Sequence, residues 1–230
     1  MTKHILFVLT SQDVLPSVDV KTGVWLEELA ASYWPLVDAG HQVILASPKG
    51  GEAPLDPMSL AKPWLTASGQ RFLENTSAME ANRKTLTLDE ASDMQFDAVY
   101  LIGGAGTVYD FPSNPAIASL LAVMSAANKP IAAVCHGVSG LLNGASGDRE
   151  NLVTGRRLTA ISNAEDAIGG LDKILPMMPE TPLRAAGALY SAAAPFEPHV
   201  VEDGNLITGQ NPASAAGVTQ ALLARLSGGA

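Results

Sequence analysis

Short, nearly uninterrupted apolar runs recur along this chain, and their length and spacing constrain its fold more than any other feature. "HILFVLT" (4–10), "QVILAS" (42–47), "FDAVYLIGG" (96–104) and "PIAAVC" (130–135) are too short for helices. They lack the alternation of a sheet with one wet face, so they read as strands buried on both faces, as a parallel sheet requires. Between the first two lies "TGVWLEELAASYWPLVDAG", where Leu26, Leu29, Ala30, Tyr33 and Val37 recur at helical spacing and Gly40 follows as a stop signal. "NPAIASLLAVMSAANK" (114–129) repeats the pattern, with Asn114 as cap and Pro115 at the first helical position. Strand–helix–strand units of this kind specify an α/β layered sheet with right-handed crossovers.

Two stretches break the rhythm. Residues 48–95 begin "PKGGEAPLDP" and contain helical pieces such as "SGQRFLENT"; a connection this long in an α/β domain reads as a lid over a site. Residues 176–199 are interrupted by prolines. After them, "DGNLITGQNPASAAGVTQALLARL" reads as turn, strand, turn and a closing helix at about 212–226. No repeat and no linker divides the 230 residues, so one domain over 1–230 is expected.

A net charge of −9, without a Lys/Arg cluster, argues against nucleic acid. No apolar run approaches a membrane span, and the first residues lack the form of a secretion signal, so a soluble cytoplasmic protein is expected. The one cysteine cannot form an internal disulfide, and the four histidines are too scattered for zinc-type spacing, so no structural metal is expected.

That cysteine, Cys135, stands at a strand's carboxyl end, where open α/β sheets bind ligands. The small residues Gly137, Ser139 and Gly140 permit a tight strand-to-helix turn that exposes its corner residue. A helix starting there would lower the thiol pKa, and His136 could serve as general acid and base. A free cysteine is equally at home as core packing, so position alone leaves both readings open. Gly103, Gly104 and Gly106 end the preceding strand; they suit backbone N–H groups approaching an oxyanion, or an ordinary turn.

Taken in order, "TGVWLEELAASYWPLVDAGHQVILASPKGG", "LIGGAGTVYDFP", "AAVCHG" and "DGNLITGQNPASA" resemble the ThiJ/PfpI superfamily, nearest the branch of heat-shock chaperones with glutathione-independent glyoxalase (glyoxalase III) activity. The resemblance implies a three-layer α/β/α sandwich with a mostly parallel sheet, flavodoxin-like and akin to class I glutamine amidotransferases. It implies a nucleophile at Cys135, a histidine at His136 and a glutamate facing the sulfur at Glu28; the helical wheel, with Glu27 and Glu28 both off the apolar stripe, does not choose between them. Gly103, Gly104 and Gly137 fall where substrate is held. Two departures stand out: Ala105 replaces a frequent histidine, and Asp166, beside Glu165, stands where a longer glutamate often orients the histidine.

The expected activity is conversion of a small 2-oxoaldehyde to a 2-hydroxy acid without cofactor or metal, by a homodimer. The alternatives are another cysteine-dependent hydrolase, hydratase or deglycase on the same site, or a holdase chaperone or redox sensor. Chaperone action needs exposed apolar surface. The candidate patch, Met58, Leu60, Trp64 and Leu65, is instead expected to pack the 48–95 segment against the core.

Overall fold

A computed structural model describes residues 1–143 and 152–228. The apolar runs form β1 (His4–Val8), β2 (Gln42–Ser47), β4 (Ala98–Leu101) and β5 (Ile131–Val134), joined by the short β3 (Leu86–Thr87) and by β6 (Val200–Asp203) and β7 (Leu206–Gly209). They make one sheet in the order β6-β7-β5-β4-β1-β2-β3, parallel throughout except where β6 meets β7. β1 pairs with β2 on one side and β4 on the other, so the chain reverses its direction of travel across the sheet there. The carboxyl edge at such a reversal is where open sheets of this kind bind ligands.

On one face lie α1 (Leu26–Asp38), α2 (Ala67–Glu74), α3 (Thr76–Arg83) and α7 (Ala215–Leu226); on the other lie α4 (Leu88–Ser92) and α5 (Pro115–Ala126). The short α6 (Asn163–Ile168) stands at the site described below. A core fills each gap: Phe7, Leu29, Tyr100 and Leu222 on the α1 side, Leu6, Leu101, Leu121 and Leu141 on the α5 side. The result is a three-layer α/β/α sandwich. Asn114 caps α5 as expected, accepting from the N–H groups of Ala116 and Ile117. Among the described residues, no helix is long and apolar enough to cross a membrane.

The structure corrects two expectations and adds detail to a third. The buried face of α1 carries Trp34 and Leu36 as well as Leu26 and Leu29, whereas Tyr33 and Val37 are only partly covered. Glu28 and Ser32 are also buried in it, because α2 and α7 flank the helix and cover more of its circumference than one stripe. The segment 48–95 is mostly helical, and local side chains start its helices: Thr66 caps α2, Asn75 caps α3, and Thr87 with Glu90 forms a capping box on α4. Finally, Leu65 packs on the core, but Met58 (61%), Leu60 (36%) and Trp64 (43%) stand exposed. They lie in and just after a 3-10 turn (Pro57–Leu60) that hydrogen bonds tie to the body through Asp56 and Ser59.

Candidate active site

The chain leaves β5 at Val134 and turns directly into a 3-10 helix, Cys135–Leu142. Cys135 is the corner, with φ at +57°, a left-handed conformation that costs a side-chain-bearing residue on the order of 1 kcal/mol. The turn closes tightly because residue 137 is glycine: a Cβ there would lie 2.7 Å from the Leu101 carbonyl oxygen.

The next residue points back at the sulfur. His136 Nδ1 lies 3.4 Å from Cys135 Sγ, and Nε2 lies 2.8 Å from Asp166 Oδ1. A carboxylate on Nε2 selects the tautomer with its proton there, which leaves Nδ1 free to accept the thiol proton. Asp166 reaches despite its short side chain because α6 brings its backbone close to the imidazole. Glu165, the neighbouring acid, faces elsewhere. It accepts from Ser162, Phe196 N–H, Gln210 and Asn211, and so ties the start of α6 to the "GQN" turn after β7. Burial raises the Glu165 carboxyl pKa, but these hydrogen bonds pull it lower and prevail.

Glu28 approaches from α1. It is fully buried, neither carboxyl oxygen makes a hydrogen bond of good geometry, and burial pushes its pKa up to about 8 from an ordinary 4.5. The Cys135 thiol and the Gly103 N–H face it and pull the other way, more weakly. The thiol is also pushed well above its ordinary value, first by burial and then by the Glu28 charge and hydrogen bond. This overturns the expectation of a thiol acidified by a helix start: the His136 N–H does stabilise the thiolate, but burial and the glutamate outweigh it. The two groups form a coupled pair. When Glu28 holds a proton, the charge opposing the thiolate is gone.

Glycines shape the far wall. A Cβ on Gly103 would lie 2.4 Å from Glu28 Oε2 and 2.9 Å from Cys135 Cβ. Gly104, at φ +123°, passes so close to α1's start that a Cβ would lie 2.1 Å from Gly23 O. Gly103→Ala is therefore expected to displace Glu28, lowering turnover at least about 100-fold along with the melting temperature; wild-type kcat in that variant would contradict this packing. Ala105 lies in a small apolar cluster with Leu15, Val108 and Leu175, so no proton-carrying side chain occupies that position.

Sequence reading missed what holds Glu28's helix. Trp25 at the start of α1 offers no side-chain cap; its N–H donates to Gly103 O at 3.1 Å, and the Leu26 N–H donates to Ser59 Oγ at 3.1 Å. Segment 48–95 thus clamps this end of the helix, with Asp56 N–H on Val24 O and Trp64 edge-to-face on Trp25 at 5.7 Å. A cap supplied from 33 residues away leaves no local signal.

A strand-end cysteine on a strained corner, backed by a histidine–aspartate pair and faced by a buried glutamate, defines a class of cysteine-centred α/β proteins. Residues 18–225 match the DJ-1/PfpI family, and the chain belongs to it. It is 30% identical over 225 residues to the glutathione-independent glyoxalase HSP31 of Saccharomyces cerevisiae, covering 93% of each. The crystal structure of the rapid encystment protein REP24 from Francisella tularensis superposes with a TM-score of 0.92 at 35% identity, covering 96% of this chain and 97% of that one. Glyoxalase III of Candida albicans has the same fold, with a TM-score of 0.84 at 24% identity and 96% of each chain covered.

Proposed function

We propose that the chain is a glutathione-independent glyoxalase that converts methylglyoxal-type 2-oxoaldehydes to 2-hydroxy acids. The observation that carries this reading is Glu28, a carboxyl with a pKa of about 8 held against a buried nucleophile, suited to moving a proton near neutral pH. Likeness to the glyoxalases supports it, and Cys135 and His136, each 4% exposed, suit a small substrate.

In the proposed course, His136 takes the thiol proton and Cys135 Sγ adds to the aldehyde carbon, giving a hemithioacetal whose oxyanion meets the N–H groups of Gly104 and His136. Glu28 or His136 removes the proton on that carbon and delivers one to the neighbouring carbon through an enediolate. The product is a thioester of the 2-hydroxy acid. Water hydrolyses it, releasing the acid and the thiol, so the sum is one water added per 2-oxoaldehyde. Asp166 holds the imidazole in place, so Asp166→Asn is expected to lower kcat by roughly two to four orders of magnitude. An Asp166→Asn enzyme at full rate would remove Asp166 from the scheme.

The test is product analysis: methylglyoxal without glutathione should give lactate, whereas amide substrates should give no ammonia. Ammonia without lactate would transfer the site to the amidohydrolases. Exposure of Met58, Leu60 and Trp64 favours a second activity, binding of unfolded clients on that segment. Suppression of client aggregation should then survive Cys135→Ala and fail when the three residues become serine. A cytoplasmic homodimer remains the proposed setting, and sedimentation of the purified chain at twice its 23.8 kDa mass would support the dimer.

A further inference from the structure

Glu165 is a buried carboxylate with more partners than a helix cap requires. The same capping box starts α4, where the exposed Glu90 accepts only from Thr87, through its N–H at 2.8 Å and its hydroxyl at 2.9 Å. At α6 the glutamate is 2% exposed and accepts five hydrogen bonds. Its Oε2 takes the Ser162 N–H (3.0 Å), the Ser162 hydroxyl (2.7 Å) and Gln210 Nε2 (2.9 Å); its Oε1 takes the Phe196 N–H and Asn211 Nδ2, both at 2.8 Å. Among the described residues no cation pairs with it. A charge buried without a counter-ion is unfavourable unless donors saturate it, and the Ser162 cap alone does not call for three donors from elsewhere in the chain.

Those donors lead back to the site. Gly209 of β7 is in register with Val134 of β5, so Gln210 and Asn211 leave their strand beside the corner where Cys135 leaves its own. The stretch from Ile161 to Asp166 touches both reacting residues: the Ile161 N–H donates to Cys135 O at 3.4 Å, and Asp166 Oδ1 lies 2.8 Å from His136 Nε2. Asp166 has no other side-chain hold, since its buried Oδ2 makes no hydrogen bond. Its place is therefore set by its backbone, whose N–H donates to Ser162 O at 3.1 Å, and Ser162 is bound to Glu165. The Asn163 N–H donates instead to Glu180 Oε2 at 2.8 Å, which ties α6 to the neighbouring helix Glu180–Ala185 and not to the sheet edge.

We propose that Glu165 is the positioning residue for the histidine–aspartate pair: by joining Ser162 to Gln210 and Asn211 it fixes α6 against the sheet edge that carries Cys135, and so sets Asp166 on His136. This rests on the reading of Cys135 and His136 as the reacting pair. Glu165 touches neither of them and acts through Asp166 alone. A glutamine in its place keeps the shape but turns an amide N–H₂ toward groups that are themselves donors, so the tie to Ser162 or to the turn after β7 breaks.

The experiment introduces Glu165→Gln into the wild type and into Asp166→Asn, and measures methylglyoxal turnover and the rate of Cys135 alkylation by iodoacetamide at pH 7. With Asp166 in place, kcat should fall about 10- to 100-fold with KM within about twofold, because the imidazole loses its alignment and not the substrate its contacts. Alkylation should slow about threefold or more, as the thiol proton loses its acceptor. In Asp166→Asn the same change should cost less than about twofold further in either rate, since the route through Asp166 is already cut. Unchanged rates in a folded Glu165→Gln would overturn the proposal, and so would an equal loss in both backgrounds. If Glu165→Gln does not fold, Ser162→Ala, which removes the hydroxyl from the same carboxylate, is compared in the two backgrounds by the same criterion. Should the wild type convert no 2-oxoaldehyde, the functional reading fails, while the alkylation rates still decide whether Glu165 sets Asp166.

Discussion

Glu28→Gln is expected to give a protein that is more stable and nearly inactive. The folded chain holds the Glu28 carboxyl pKa at about 8 and the unfolded chain near 4.5. Above 4.5 the unfolded state gives up its proton first, so stability falls as pH rises and goes on falling to about 8. At about 1.4 kcal/mol per unit, the loss at pH 7 amounts to about 3 kcal/mol. Glutamine keeps the shape and removes the titration. The variant should therefore melt up to roughly 5 to 10 °C higher at pH 7, with the gain gone by pH 4. Turnover should fall by two to four orders of magnitude, because an amide carries no proton between carbons. Its Cys135 should also go on gaining reactivity toward iodoacetamide above pH 8, where an ionised Glu28 holds back the wild-type thiol. Equal melting temperatures at pH 4 and pH 7, relative to wild type, would refute the buried, raised carboxyl.

The second large effect lies at the corner itself. Cys135→Ala and Cys135→Gly should each lower turnover at least about 1000-fold, since both remove the proposed nucleophile. They should differ in stability. Alanine keeps a Cβ at φ +57°, whereas glycine adopts that conformation without strain, so the glycine variant should be more stable by on the order of 1 kcal/mol. Thermal melts of the two variants side by side check this; a glycine variant that melts lower would mean that the corner carries no strain.

The sandwich was legible because strands buried on both faces write themselves as continuous apolar runs, and β1, β2, β4 and β5 do so within two or three residues. Asn114 and Pro115 announced α5 by local chemistry. The buried face of α1 was not legible: a single stripe describes a helix lying on one surface, and α1 is flanked by α2 and α7 as well. For the same reason Glu28 read as a solvated residue, and only the family likeness singled it out from Glu27. The contact between His136 and Asp166 spans 30 residues and depends on where α6 is set, so the sequence could offer both acids but not choose between them. Glu165 takes part instead in a network running through Gln210 and Asn211, whose conspicuous motif gave no hint of its partner. The positive φ of Cys135 and the Ser59 cap on Leu26 are products of long-range packing and leave no local trace.

These features converge on one claim, that Cys135 is the reacting atom and Glu28 its proton partner. The measurement that tests it most directly is D- and L-lactate formation from methylglyoxal, without glutathione, by wild type and Cys135→Ala side by side. Lactate of a single hand from the wild type, and none above background from the variant, is the predicted result. Lactate formed by Cys135→Ala at the wild-type rate would contradict the account.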